Sequence, residues 1–176
     1  MLRIINDFIS FVRINHSPSY AMKVANNFWS NTLVTHGSMD DSQFNFFFNH
    51  LKDIIVLNPK LTYLDFGGGN GEIASKFNNE GYSFDHCDIS KEMVKNAMNT
   101  YNLNSCECKN LDNNKKYDAI LIHNVIFYIH PKLLNQHLLS LNKLLNAKGK
   151  IYITDTPDYD KRHICFKNLI KTTLTK

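Results

Sequence analysis

The chain has 176 residues, 43% of them hydrophobic and 20% charged, a globular composition long enough for one domain with a real core and too short for two ordinary ones. The formal charge of +4 comes from scattered lysines rather than a basic stripe, which argues against a nucleic-acid footprint. No apolar run has the length of a membrane span.

The first residues, MLRIINDFISFVRI, place Leu2, Ile5, Phe8, Ile9 and Val12 at helical spacing. Arg3, Asp7 and Arg13 interrupt any signal-peptide core, so the expectation is an amphipathic helix lying on the domain. Residues 18–34 carry a weaker helical pattern through Ala21, Val24, Ala25, Phe28 and Trp29. Residues 40–57 carry a strong one through Phe44, Phe47, Phe48, Leu51, Ile54 and Ile55. Ser38 and Asp41 resemble a capping arrangement, and Asn58-Pro59 stops the helix. These helices make residues 1–58 a cap or lid segment, with residues 59–176 forming the main body.

From Leu61 the pattern changes. Leu61–Phe66 reads as a buried strand, Glu72–Glu80 as a helix capped by Gly81, and Tyr82–Ile89 as a second strand. Ser90 can cap a helix to about Thr100. Ser105–Lys109 and Tyr117–His123 are a third and a fourth strand. Pro131 suits the first turn of a helix running to about Asn146 and ended by Gly149. Lys150–Asp155 is a fifth strand, and residues 160–172 a last helix. Strands alternate with helices, and several strands are apolar throughout. Both features predict an α/β fold with a doubly wound, mostly parallel sheet covered on both faces.

The cysteines Cys87, Cys106, Cys108 and Cys165 contain no CxxC pair and no zinc spacing with histidine. No metal site is expected, and reduced thiols suit a cytoplasmic location. Cys106 and Cys108, two apart, are expected on one strand face.

The stretch YLDFGGGNGEIA, Tyr63–Ala74, puts four glycines into residues 67–71 between a strand and a helix. In a doubly wound sheet, ligands bind at the carboxyl ends of the strands. Glycine there allows close approach and positive φ, and the next helix offers free N–H groups. The dinucleotide pattern GxGxxG fails, because Glu72 stands where its third glycine belongs. A P-loop fails too, because no Gly-Lys-Ser/Thr follows. The spacing present is Gly67-x-Gly69-x-Gly71, preceded by Asp65.

Asp65-Phe66-Gly67-Gly68-Gly69-Asn70-Gly71 resembles motif I of the class I S-adenosylmethionine-dependent methyltransferases, which have a Rossmann-like fold. Further matches follow in order over roughly residues 60–156: HCDIS, KNLDNN, YDAILIHNVIFYI and LNKLLNAKGKIYITD. Ala147-Lys148 stands where the family usually has proline-glycine. The resemblance implies S-adenosyl-L-methionine as cofactor. It implies that Asp65 helps hold the methionine amino group and that Gly67, Gly69 and Gly71 form the loop. Asp88 would bind the ribose hydroxyls, and Ile89 would pack on adenine. Asn110 and Leu111 would lie at the adenine amino group, and His123 and Asn124 near the methionine end.

His123 is the first candidate general base, followed by His130, Tyr128 and His36. Tyr20, Trp29 and His36 precede the sheet, where many family members place a lid. The family's element for methylating DNA base amino groups is absent, since Asn124-Val125-Ile126-Phe127 stands in its place. The expected activity is therefore methyl transfer to a small molecule. The alternatives are an RNA methyltransferase or a non-catalytic cofactor-binding or partner subunit. The chain also stops without the antiparallel strand pair that usually closes the family's sheet. That leaves the fifth strand as an edge at which the chain can self-associate.

Overall fold

The structure, a computed structural model, describes residues 17–20, 23 and 41–154. The predicted first helix, most of residues 18–34, the Ser38 cap, Trp29, His36, Cys165 and the predicted last helix lie outside the described residues.

Helix α1 spans Asp41–Ile54 and is followed by β1, Thr62–Phe66, and α2, Glu72–Asn79. Next come β2, Ser83–Asp88, α3, Lys91–Tyr101, and β3, Ser105–Glu107. The chain continues through β4, Tyr117–His123, α4, Pro131–Lys143, and β5, Leu145–Thr154. The five strands form one sheet in the order β3-β2-β1-β4-β5, and every pair is parallel. The doubly wound sheet expected from the alternation of elements is present. Its strand order reverses between β1 and β4.

The strands are apolar throughout because both faces are buried. Tyr63, Ala119 and Leu121 join a core with Phe44, Phe48, Leu51 and Ile55 of α1 and with Phe77 of α2. Leu64, Ile120 and Ile122 point the other way, into a core with Leu141, Leu144 and Leu145. Successive strand residues thus supply opposite cores, as the two-residue period requires. On the first face, Tyr63, Phe84 and Phe77 stack with centroids 4.5 Å apart in each step. Phe44 and Phe48 of α1 are core and Phe47 packs against it, as their spacing predicted, while Phe46 between them is exposed.

Local signals explain the helix ends. Ser90 Oγ accepts the Met93 amide at the start of α3. Gly81, at φ 90°, ends α2 in a Schellman arrangement, with Gly81 N–H donating to Asn78 O and Tyr82 N–H to Phe77 O.

Four boundaries differ from expectation by more than one residue. Helix α1 ends at Ile54, short of the Asn58-Pro59 stop. Strand β3 ends at Glu107, and Cys108–Asn110 coil into a 3-10 turn, so Cys108 leaves the strand face that Cys106 occupies. Helix α4 ends at Lys143, because Tyr117 N–H takes the Leu144 carbonyl and draws the chain into the sheet early. Strand β5 therefore begins at Leu145, not Lys150, and contains an irregularity opposite Tyr117/Ala119. Gly149 lies inside that irregularity rather than at a helix end. A Cβ there would sit 2.9 Å from Tyr117 O, so glycine is needed for close strand approach, not for capping.

Candidate cofactor site at the strand switch point

The loop after β1 crosses the carboxyl end of the sheet. Gly67 and Gly68 donate their amides to the Cys87 carbonyl at 2.8 and 3.1 Å, and Gly71 donates to Gly68 O at 3.0 Å. Gly67, Gly69 and Gly71 have φ of 73°, 59° and 84°. Their surroundings differ. A Cβ on Gly67 would meet Val125, and one on Gly71 would meet Leu103 and Ala97, so those positions pack against the protein. A Cβ on Gly69 would meet nothing within 4 Å. Gly69 is the point at which the loop faces open space, and its left-handed φ disfavours any side chain.

Asp65 lies beneath this loop. It is fully buried, and neither carboxylate oxygen accepts a hydrogen bond of ordinary geometry. A Cβ on Gly68 would fall 2.4 Å from Asp65 Oδ2 and 2.7 Å from the ring of His86. Burial pushes the Asp65 carboxyl up to about 7, the Asp88 charge adds to this, and the Ala74 amide opposes it. His86 stands beside Asp65 in the β1–β2 register. Its Nδ1 pairs with Ser105 Oγ at 2.7 Å. Its Nε2 faces the backbone of Gly69 and Gly68 without a hydrogen bond of ordinary geometry. Burial drives the ring down to about 4, so it is neutral at pH 7.

Asp88 ends β2. Its Oδ1 accepts the Ser90 amide at 2.8 Å, and its Oδ2 accepts the Gly69 amide at 3.0 Å. Burial raises its carboxyl to about 6 against the pull of the Ser90, Gly69 and Ile89 amides. Asp88 thus ties the loop to the start of α3, and each oxygen keeps a second lone pair for an outside donor. Ile89 is half-buried beside it. Asn110 is exposed at the end of the 3-10 turn, and Leu111 is half-buried just after it.

His123 ends β4. Its Nδ1 lies 2.9 Å from Thr154 Oγ1, at the end of β5, and its ring packs on Phe47 of α1 at 4.3 Å. Burial lowers it to about 4. Asn124 follows with φ 54°, its amide donating to Thr154 O. His130 caps α4 by accepting the Lys132 amide, and Tyr128 lies in the 3-10 turn Ile126–Tyr128. Tyr20 is half exposed.

Asp65, the glycine loop, Asp88, Ile89, His123 and Asn124 therefore all stand at the carboxyl ends of β1, β2 and β4 or directly after them. Sequence reasoning missed His86, Thr154, Phe47 and Val125. Strand alternation from Asp88 picks out His86 on the same face. Nothing local marks Thr154 or Phe47, which reach His123 only through tertiary packing. Among the described residues, no cluster of His, Cys, Asp or Glu could hold a metal ion, and no helix is long and apolar enough to cross a membrane.

A parallel sheet with a glycine loop at its switch point and an acid ending the next strand defines a nucleotide-cofactor-binding α/β protein. Residues 64–151, half of the chain, match the model of a methyltransferase domain, and the chain belongs to that family, whose methyl donor is S-adenosylmethionine. No curated protein matches the sequence.

Among solved structures, a SAM-dependent methyltransferase from Thiobacillus denitrificans, determined with S-adenosyl-L-homocysteine, has a TM-score of 0.53 at 14% identity over 72% of this chain and 53% of its own. Magnesium protoporphyrin IX methyltransferase from Synechocystis PCC 6803, with bound SAM, has a TM-score of 0.60 at 15% identity over 78% and 76%. The [4+2]-cyclase SpnF has a TM-score of 0.56 at 12% identity over 66% and 47%. This chain thus spans about half the length of the first and third. These likenesses show the shared fold.

Proposed function

We propose that this chain is an S-adenosylmethionine-dependent methyltransferase acting on a small molecule. The observation that carries the proposal is the loop itself: Gly69 opens onto free space above a buried carboxylate that accepts no hydrogen bond of ordinary geometry. A buried acid left without donors is costly unless a partner completes it. The cofactor's cationic methionine end has the matching chemistry.

In this reading Asp65 attracts the methionine ammonium, and the backbone of Gly67, Gly69 and Gly71 lies along the ligand. Asp88 accepts the ribose hydroxyls. Ile89, Asn110 and Leu111 surround adenine, and Asn124 and His123 border the methionine. The bound cofactor supplies an electrophilic methyl on a sulfonium, and the protein's work is binding, alignment and exclusion of water. His123 is the proton acceptor where the substrate's nucleophile must lose a proton. It is neutral at pH 7. With Nδ1–H donated to Thr154 Oγ1, its Nε2 is left to accept.

The cap reading of residues 1–58 draws support from Phe47, through which α1 reaches His123. The scattered charge and the absence of a basic stripe favour a small-molecule substrate over nucleic acid. A cytoplasmic location fits the free thiols Cys87, Cys106 and Cys108. Strand β5 has no neighbour beyond it among the described residues. Its Ile151 and Ile153 make it the edge proposed for self-association, which sedimentation tests.

Calorimetry with S-adenosylmethionine, S-adenosylhomocysteine and NAD tests the cofactor. Binding of the sulfur ligands and not NAD is expected, and tight NAD binding alone would overturn the reading. Because the fold also serves a cyclase, methyl transfer needs its own assay with labelled donor and a panel of small nucleophiles. Cofactor binding with no transfer to any of them would favour a non-catalytic or non-methylating role.

A further inference from the structure

Three cysteines gather where β2 and β3 end. Cys87 and Cys106 are register partners, yet the sulfur of Cys87 accepts a contact from that of Cys108, at 3.3 Å. The 3-10 turn at Cys108–Asn110 causes this, because it folds Cys108 back toward the sheet instead of extending β3. Cys87 is fully buried in the core beneath the sheet, while Cys106 and Cys108 are half-buried at its margin. Such a pair has one cysteine at the margin of the fold and one behind it.

Both sulfurs belong to segments of the cofactor site. The Cys87 carbonyl holds the Gly67 and Gly68 amides, and Asp88 is its neighbour. Cys108 opens the turn that presents Asn110 and leads into Leu111. We propose that Cys87 and Cys108 form a redox pair, a dithiol that a small-molecule disulfide converts into an intrachain bridge, and that the bridge weakens cofactor binding. The second part rests on the methyltransferase reading.

The exchange proceeds in two attacks. The Cys108 thiolate displaces one half of the external disulfide as a thiol and forms a mixed disulfide. Cys87, whose thiol burial keeps protonated, then attacks the Cys108 sulfur, gives its proton to the departing sulfur, forms the Cys87–Cys108 bond and releases the second thiol. Two electrons and two protons pass from the protein dithiol to the oxidant, and an external dithiol reverses the process. Closing the pair from 3.3 Å to a bond of about 2.05 Å draws the sulfurs together by roughly 1.3 Å. Cys87 is held through its carbonyl by two loop amides. The partly exposed turn of Cys108 therefore takes up the movement, and it carries Asn110 and Leu111 with it.

The test incubates the native full chain with oxidised glutathione, alkylates free thiols, and maps peptides without reduction. Affinity for S-adenosylhomocysteine is measured before and after. A Cys87–Cys108 cross-link is expected, with Cys106 still alkylated. Affinity should fall roughly fivefold or more, within the usual range for coupled sites, and return with dithiothreitol. Cys108→Ser should abolish both effects, and Cys106→Ser should keep both. A lasting mixed disulfide without a bridge, a bridge through Cys106, or a Cys87–Cys108 bridge with unchanged affinity would each overturn the proposal. A reduced chain that binds no S-adenosylhomocysteine would count against the methyltransferase reading and the coupling that rests on it, while the peptide map would still decide the bridge.

Discussion

Asp65→Asn removes one charge from the centre of the site and keeps the shape. The carboxyl stands at about 7 against an ordinary 3.8 because the fold buries it near the Asp88 charge, with only the Ala74 amide opposing. The folded state therefore favours the protonated acid. Below pH 3.8 both folded and unfolded chains are protonated and the fold suffers no penalty. Between pH 3.8 and about 7 the unfolded chain ionises while the buried acid does not, so stability is lost across that window, and the loss is complete once pH has risen through about 7.

The shift from 3.8 to about 7 sets a ceiling on the order of 4 kcal/mol. Asp88, raised to about 6, acts with the same sign. His86 and His123, both lowered to about 4, act oppositely, because the unfolded chain binds protons there that the fold refuses. The parent's own curve is thereby flattened, and the informative quantity is the difference between variant and parent. Urea unfolding at several pH values should show Asp65→Asn gaining on the parent from about pH 4 to pH 8, by up to that ceiling.

Calorimetry in buffers of different ionisation enthalpy reads the ligand's share. Near pH 6, S-adenosylhomocysteine should release close to one proton as its ammonium draws Asp65 into the ionised form. Near pH 8 it should release about none. Asp65→Asn should lose that release and bind more weakly. Parallel unfolding curves for parent and variant would refute the burial argument, and identical proton release would place the ammonium elsewhere.

Gly69→Val should abolish S-adenosylhomocysteine binding while costing the fold only about 1–3 kcal/mol for the left-handed backbone. A folded variant with unchanged affinity in the same calorimetric titration would make the loop a mere turn. Asp88→Ala should weaken cofactor binding by roughly 1.5–3 kcal/mol, and much less for an analogue without ribose hydroxyls. Equal losses for both ligands would show that Asp88 acts only through the Gly69 and Ser90 amides it holds. Thr154→Val should lower the rate of methyl transfer without changing cofactor affinity, by freeing the His123 ring, and Thr154→Ser should restore it; an affinity loss instead would make Thr154 structural. Gly149→Ala should destabilise the fold by about 1–3 kcal/mol, read by urea midpoint, because its Cβ meets the Tyr117 carbonyl.

The sheet was legible because its signals are local. Alternating apolar faces, Ser90, Gly81 and Pro131 each act within a few residues, and all three punctuation residues stand where they were expected. The glycine loop was legible for the same reason, since glycine adopts those φ values at the least cost on a short strand-to-helix turn. Element ends were less so. Helix α4 stops at Lys143 and β5 starts at Leu145 because Tyr117, far earlier in the chain, captures the Leu144 carbonyl. Nothing near Asn146 announces that competition.

The site divides the same way. The order of motifs marked Asp65, Asp88 and His123 as neighbours of a ligand, but not their protonation. That Asp65 lacks a hydrogen bond of ordinary geometry, that His86 and His123 are neutral, and that Thr154 and Phe47 hold His123 follow from burial and cross-strand register. The Cys87–Cys108 pair is the clearest case. Sequence spacing grouped Cys106 with Cys108, whereas a single 3-10 turn after β3 brought Cys108 to Cys87. A strand's own residues decide which way its side chains alternate, while the sulfur that meets another across 21 positions is chosen by the path of the chain between them.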